Sequence, residues 1–426
     1  MSSHDPYAAL RVWNYRLYLM GSLVANLGSQ MLTVAVGWEL YERTGSAMAL
    51  GWVGLVEFVP FILLALPAGH LADRFARQRL LAVAHSVLAL AALGLAAISV
   101  GHFGVGWMYF CLFAIGVVRA VGMPAGQSLM PLLVPRESFS NAVTWRSTSF
   151  QLASTVGPAV GGFLIALTQR AAVVYLTEVV LALVFVVCLF NLRVPKSAAA
   201  PASAVTLASL LAGVEFVWGT KLILAAMTLD MFAVLLGGAT ALLPIYAKDI
   251  LHVGPTGLGW LRAMPAIGSL VMGMGLAHRP PLQRAGPTLV TAVIGFGVAT
   301  IVFGISRWYW LSLAMLFATG VCDSISVVVR HTLVQTRTPD ALRGRVSAVN
   351  GLFISCSNEM GGFESGLVAA CFNAVVSVVS GGVGTIMVVL GVSGLWPELR
   401  KLRELNQAVQ AETPVIAEEE EERIKP

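Results

Sequence analysis

Gly69-His-Leu-Ala-Asp73-Arg74-Phe-Ala-Arg77-Gln-Arg79 is a charge-dense break between two apolar runs, 48–70 and 79–100. A helix of about twenty residues crosses a hydrocarbon core of ~30 Å, so each run reads as a membrane span and the break as a surface loop. Helices satisfy all their backbone groups within one segment, as hydrocarbon demands. Working outward by the same rule gives spans at 17–38, 105–127, 141–168, 171–192, 222–247, 255–277, 287–305, 308–331, 345–368 and 372–396, twelve in all.

Composition agrees with a membrane exterior. Residues of the AVILMFWYC class make up 57% of the 426 positions and charged residues 12%, about half of what a soluble surface carries. The net charge of +5 is spread over many loops with no basic stripe, which argues against a nucleic-acid partner. Cys111, Cys188, Cys322, Cys356 and Cys371 all lie in apolar runs and suggest neither a disulfide framework nor a metal site. The polar, basic stretch from Met1 to Tyr18 has no small-residue cleavage pattern after it, so no signal peptide is expected.

Lys and Arg set the orientation. One set of alternate loops holds nineteen of them, while the other holds only Arg43, Arg170, Lys248 and Arg307. The positive-inside rule then places both termini in the cytoplasm of a bacterial inner-membrane protein. The longest interior break, 193–221, begins with a flexible Lys196-Ser-Ala-Ala-Ala-Pro201 stretch and turns amphipathic from Leu207 to Phe216. The expected organisation is a six-helix bundle over 1–192, a cytoplasmic linker with a surface helix over 193–221, a second bundle over 222–396, and a disordered cytoplasmic tail over 397–426. An internal repeat relates the bundles. Phe113-Ala-Ile-Gly116 matches Phe317-Ala-Thr-Gly320, Leu129 meets Leu333 and Pro135 meets Pro339, all at an offset of 204. Six spans per half make this a parallel duplication.

The loop quoted first resembles the signature GxxxDRxGRRxxL of the major facilitator superfamily, with Ala76 in place of the second glycine. The resemblance makes Gly69, Asp73, Arg74 and Arg77 a conformational lock, in which an acid followed by fixed cations holds the two bundles together. The equivalent second-half loop, from Gly273 to Arg284, has no acid, so the lock is expected to be asymmetric. Gly157-Pro158-Ala-Val-Gly161-Gly162 in span 5 is similar to the GPxxGG element of antiporter members and predicts a helix bend with close packing. Asn26-Leu-Gly28, Leu66-Pro67-Ala-Gly69, Met123-Pro124-Ala, Val134-Pro-Arg136-Glu137 and Arg343-Gly-Arg345-Val add to the likeness. Together they resemble the branch of enterobactin-exporter and macrolide-efflux proteins.

Ionisable groups inside spans are costly and mark function. Glu57 lies sixteen residues before Asp73, about 24 Å from the loop, and is a candidate proton carrier with Asp230 and Asp323. Arg119 and Asp323 are equivalent at the offset of 204, and the resemblance places their helices on opposite sides of the substrate path. They are therefore expected to face one another there. Asn26 and Gln30, one turn apart, are candidate substrate contacts. Trp38, Tyr41, Trp107, Tyr109, Trp308, Tyr309 and Trp310 read as interfacial anchors.

The reading that follows is a proton-coupled exporter of a siderophore, drug or similar partly apolar molecule, working by alternating access as a monomer. Its partners would be that substrate, protons and membrane lipids, with no cofactor and no metal. The alternative is a lysophospholipid flippase of the same fold. An enzyme is disfavoured, because GxxxxGK[ST], HExxH and clustered His/Cys ligands are all absent from the sequence.

Overall fold

The computed structural model describes residues 5–194, 207–237, 239–278 and 284–402. Among them the long helices are α1 Trp13–Thr44, α2 Ala47–Arg74, α3 Arg77–Gly101, α4 Val105–Leu129, α5 Phe139–Thr168 and α6 Ala171–Phe190. The second half supplies α7 Lys221–Leu236, α8 Gly254–Ala277, α9 Ala285–Ile305, α10 Tyr309–Arg337, α11 Asp340–Cys371 and α12 Ala374–Leu395. No strand occurs among the described residues. Among the described residues, eleven helices, counting Lys221–Ile250 as one, are long and apolar enough to cross a membrane. The twelfth is α11, whose apolar run is diluted by Asn350, Ser355, Ser357, Asn358 and Glu359.

Local chemistry sets the helix ends. Gly45 ends α1 in the left-handed conformation at φ 59°, its N–H donating to Tyr41 O. Ser46 caps α2 through Ala49 N, and Asn373 caps α12 through Val376 N. Arg43, one of the four cations in the sparse loops, donates to Ile98 O, Ser99 O and Phe103 O at the end of α3 and pairs with Glu39 at 2.6 Å.

The expected span at 222–247 is broken. Helix α7 stops at Gly237, and the chain continues through short turns at Ala239–Leu242 and Leu243–Ile245 and a π-turn at Tyr246–Ile250. Glycine and Pro244 both disfavour continuous helix, which accounts for the interruption. Two expected anchors also differ. Trp38 and Tyr41 are buried, because the far end of α1 packs against this broken segment, while Trp107, Trp308 and Trp310 remain exposed. The linker stretch 195–206 and the tail 403–426 lie outside the described residues, as do the side chains of Gly69 and Asp73. A helix at Leu207–Gly219 rests against α11, Gly213 lying over Arg345 O and Val217 buried beside Val346.

The core shows how the halves meet. At the face away from the termini, one apolar cluster joins residues of both halves, from Met31 and Leu50 to Leu242, Leu258 and Ala369. Toward the terminal face it divides, with Tyr15, Leu129 and Leu189 in a first-half cluster and Leu229, Leu289 and Leu333 in a second-half one. The named contacts between halves follow the same division. A Cβ on Gly51 would lie 3.1 Å from Gly366 Cα, and one on Gly162 would lie 2.3 Å from Pro255 O. Gly37 admits Pro244, and the Tyr41 hydroxyl donates to Asp249. These contacts hold the molecule closed on the far side.

The α2–α11 seam gives a direct test. A Cβ on Gly366 would lie 2.5 Å from Gly51 Cα, closer than a side chain and backbone can approach, so Gly366→Leu should force the helices apart and cost about 1–3 kcal/mol of stability. Thermal unfolding of the purified variant in detergent checks this, and a wild-type midpoint would contradict the seam.

Candidate functional site

A charge cluster lies at the meeting of the two halves. Arg119 Nη1 on α4 donates to Glu57 Oε2 on α2 at 2.6 Å and to Glu359 Oε1 on α11 at 3.0 Å. Arg262 on α8 interacts electrostatically with both carboxylates. Each half therefore contributes one acid and one base. The Arg119 side chain is 54% exposed while Glu57 and Glu359 are 16% and 21% exposed, so the cation is the accessible member.

Small residues bring these groups together. A Cβ on Gly116 would stand 2.4 Å from Glu57 O and 2.6 Å from Pro60 Cγ, so α4 lies directly on α2 at the acid. Gly54 admits α11 in the same way, a Cβ there reaching 2.6 Å from Glu359 O. The repeat reappears in this packing. Gly320, the partner of Gly116 at offset 204, packs on Pro265 O of α8. Relative to the two prolines, Glu57 and Arg262 each sit three residues earlier, and duplication has placed opposite charges at equivalent positions.

Arg119 and Asp323 do not face one another as expected. Arg119 is turned to α2 and α11, whereas Asp323 borders a small cavity inside the second half with Asp230, Val293, Phe296, Cys322 and Ser326. Asp230 is not free in the substrate path. It is buried and paired with buried Arg330. Sequence reading passed over Arg330, although it lies seven residues after Asp323 on the same face of α10, and seven residues is two helical turns. Sequence reading does not single out Glu359 or Arg262, and the one-residue slip at the prolines is the signal that marks Arg262.

The remaining candidates divide. Gln30 Nε2 donates to Ser154 Oγ at 3.1 Å, a bond between α1 and α5, while Asn26 is half-buried and has no hydrogen-bond partner among the described residues. Gly157 and Gly161 let α5 approach Gln30 and Met31 of α1, and Gly162 lets it approach α8. Pro158 lies within α5, whose helix runs unbroken from Phe139 to Thr168, and Gln151 Nε2 adds a bond to Ala266 O at 2.6 Å. This element is thus a junction of three helices. In the signature loop, Arg77 Nη1 donates to Ser128 O within the first half, and Arg74 is exposed.

The profile of a family described as transmembrane secretion effector matches residues 4–425. The multidrug efflux pump Tap of Mycolicibacterium fortuitum is 27% identical over 403 residues, covering 92% of this chain and 97% of that protein. The enterobactin exporter EntS of Citrobacter koseri is 27% identical over 415 residues, covering 92% and 93%. Among solved structures, an inward-facing, unoccupied bacterial homologue of the human lysosomal transporter Spinster superposes with a TM-score of 0.71 at 12% identity, covering 97% of this chain and 100% of that one. A D-xylose–proton symporter gives 0.67 at 15% identity, covering 91% and 98%. At these identities the structural likeness concerns the fold alone.

The buried Asp230–Arg330 pair makes a separable prediction. Arg330→Met leaves an uncompensated carboxylate and should cost about 3–5 kcal/mol, whereas Asp230→Leu with Arg330→Met should recover most of that loss. Thermal unfolding of the purified variants in detergent measures both.

Proposed function

The chain belongs to the transmembrane secretion effector family of the major facilitator superfamily, and from that premise we propose that it exports drugs or siderophores in exchange for protons. It is a multi-pass membrane transporter and not an enzyme. The observation that carries the reading is the single guanidinium of Arg119 bonded to carboxylates of both halves.

With the termini in the cytoplasm, the far-side closure faces the periplasm, and the site opens inward, toward the face where the core clusters divide. The Arg119–Glu359 pair then ties the halves together on the closed side and keeps the empty, deprotonated carrier from turning outward. A substrate entering from the cytoplasm meets the accessible Arg119 and loosens that tie by exchanging contacts with it and with Glu359. The halves then rock, with the α2–α11 and α5–α8 seams as the surfaces that part. Facing outward, Glu57 and Glu359 each accept one proton and become neutral, while Arg119 remains a cation. Neutral acids no longer hold a transported partner by charge, so the substrate leaves and the protonated carrier returns. The relatives Tap and EntS are a drug efflux pump and a siderophore exporter, which supports this substrate range. The route lies between the halves of one chain, so a monomer suffices.

Reconstituted protein tests the proposal with ethidium and enterobactin as probes. An imposed pH gradient should drive accumulation, and Glu57→Gln or Glu359→Gln should lower it at least about tenfold, as expected for removal of a buried charged contact. Asp323→Asn, placed away from Arg119, should change it less. Full gradient-driven accumulation by both glutamine variants would refute the coupling role. Movement of lysophospholipid without any gradient would favour a flippase instead.

A further inference from the structure

Gly21 and Gly28, seven residues apart on α1, open two similar slots toward α6. A Cβ on Gly21 would lie 2.6 Å from the Phe185 ring, and one on Gly28 would lie 1.8 Å from Glu178 Oε2. Phe185 and Glu178 are likewise seven residues apart, so the antiparallel helices repeat one packing step after two turns. One slot is filled by a phenyl ring, the other by a carboxyl group.

Glu178 is 0% exposed. Ser29 Oγ stands 3.2 Å from its Oε1, and Oε2 has no hydrogen-bond partner among the described residues. Among the described residues, the helices packed on α6 bring no counter-ion to it. The charged residues of α1 are Arg16, Glu39, Glu42 and Arg43, near its ends, and Glu39 and Arg43 pair with each other. Helix α3 carries Arg77 and Arg79 in its first turn and His85, whose ring lies against Phe185, and α5 carries only Arg146.

A charged carboxylate here would lack both a cation and a second donor, far costlier than a neutral group with one unbonded oxygen. A carboxylic acid resolves the same atoms. Its Oε1–H donates to Ser29 Oγ across the observed separation, Oε2 becomes an uncharged carbonyl oxygen, and the Ser29 hydroxyl hydrogen turns to a carbonyl of its own helix.

We propose that Glu178 is held as a neutral carboxylic acid that clamps α1 to α6 by donating to Ser29. It acts as a positioning residue. Asn26 and Gln30 lie on the other side of α1, at 100° of helical rotation per residue, and the Gln30–Ser154 bond closes that side. The clamp thus fixes how α1 presents these amides. It is independent of the coupling scheme, because the central cluster draws on α2, α4, α8 and α11.

Infrared difference spectroscopy of wild type against Glu178→Gln, on purified protein at neutral pH, needs no transport. A protonated-carboxyl C=O band should be present in the wild type and missing in the variant, and its absence from the wild type overturns the proposal. Ethidium efflux adds a readout that simple slot-filling would not move. Glu178→Gln, which still donates to Ser29, should stay within about twofold of wild type, and Glu178→Leu should fall about five- to tenfold, the worth of one buried hydrogen bond. Leucine working as well as glutamine would reduce Glu178 to packing, and failure of both variants with intact folding by size exclusion would mean that the proton must leave. Either result sinks the clamp.

Discussion

A charge in hydrocarbon must find its opposite, and in this protein the opposite is found across the divide between the halves. Arg119 holds Glu57 in its own bundle and Glu359 in the other, with Arg262 nearby. None of these ions could stay charged and alone at that depth without a cost of several kcal/mol. The same contacts that make the ions tolerable therefore also fix how the bundles sit. The glycines at 54 and 116 belong to this constraint, because larger side chains would hold α11 or α4 off the acid. The apolar seams at Gly51 and Gly162 extend the closure on either side without adding charge.

Much of the architecture could be read from hydropathy, because the rule that counts apolar residues is the one the bilayer imposes. The helix ends fell near the polar breaks, and where they did not, a local cause is visible. Span 7 is apolar throughout its expected length, so hydropathy cannot show that Gly237 and Pro244 interrupt it. Hydropathy alone also does not reveal that α1 is buried at its far end, which requires the partner segment. Trp38 and Tyr41 looked like interfacial residues for that reason.

The site was less legible, and the reason is rotational. An offset of 204 aligns Arg119 with Asp323 along the chain but says nothing about which way each side chain points. A single residue of slip at the prolines of α2 and α8 is enough to change which charges are equivalent, from Glu57 and Leu261 to Glu57 and Arg262. One position is 100° of helical turn, more than the width of a helix face. The acid–base pairing inside the second half, Asp230 with Arg330, was hidden similarly, since the two lie on different helices a hundred residues apart. Periodicity within α10 carried half of that information. Glu57 and Arg119 stand out by cost, because an ionisable side chain inside a span needs a partner or a function.

The central cluster has a further consequence in an energised membrane. Two acids and two bases sum to zero when all are ionised, so a transmembrane voltage exerts no net force on them as the bundles turn. Each added proton leaves one positive charge in excess, and moving a unit charge through the full field is worth about 2.3 kcal/mol per 100 mV. Voltage would then act on the proton-loaded carrier and leave the empty one indifferent. Electrical bias and chemical loading would thus fall on the same half of the cycle.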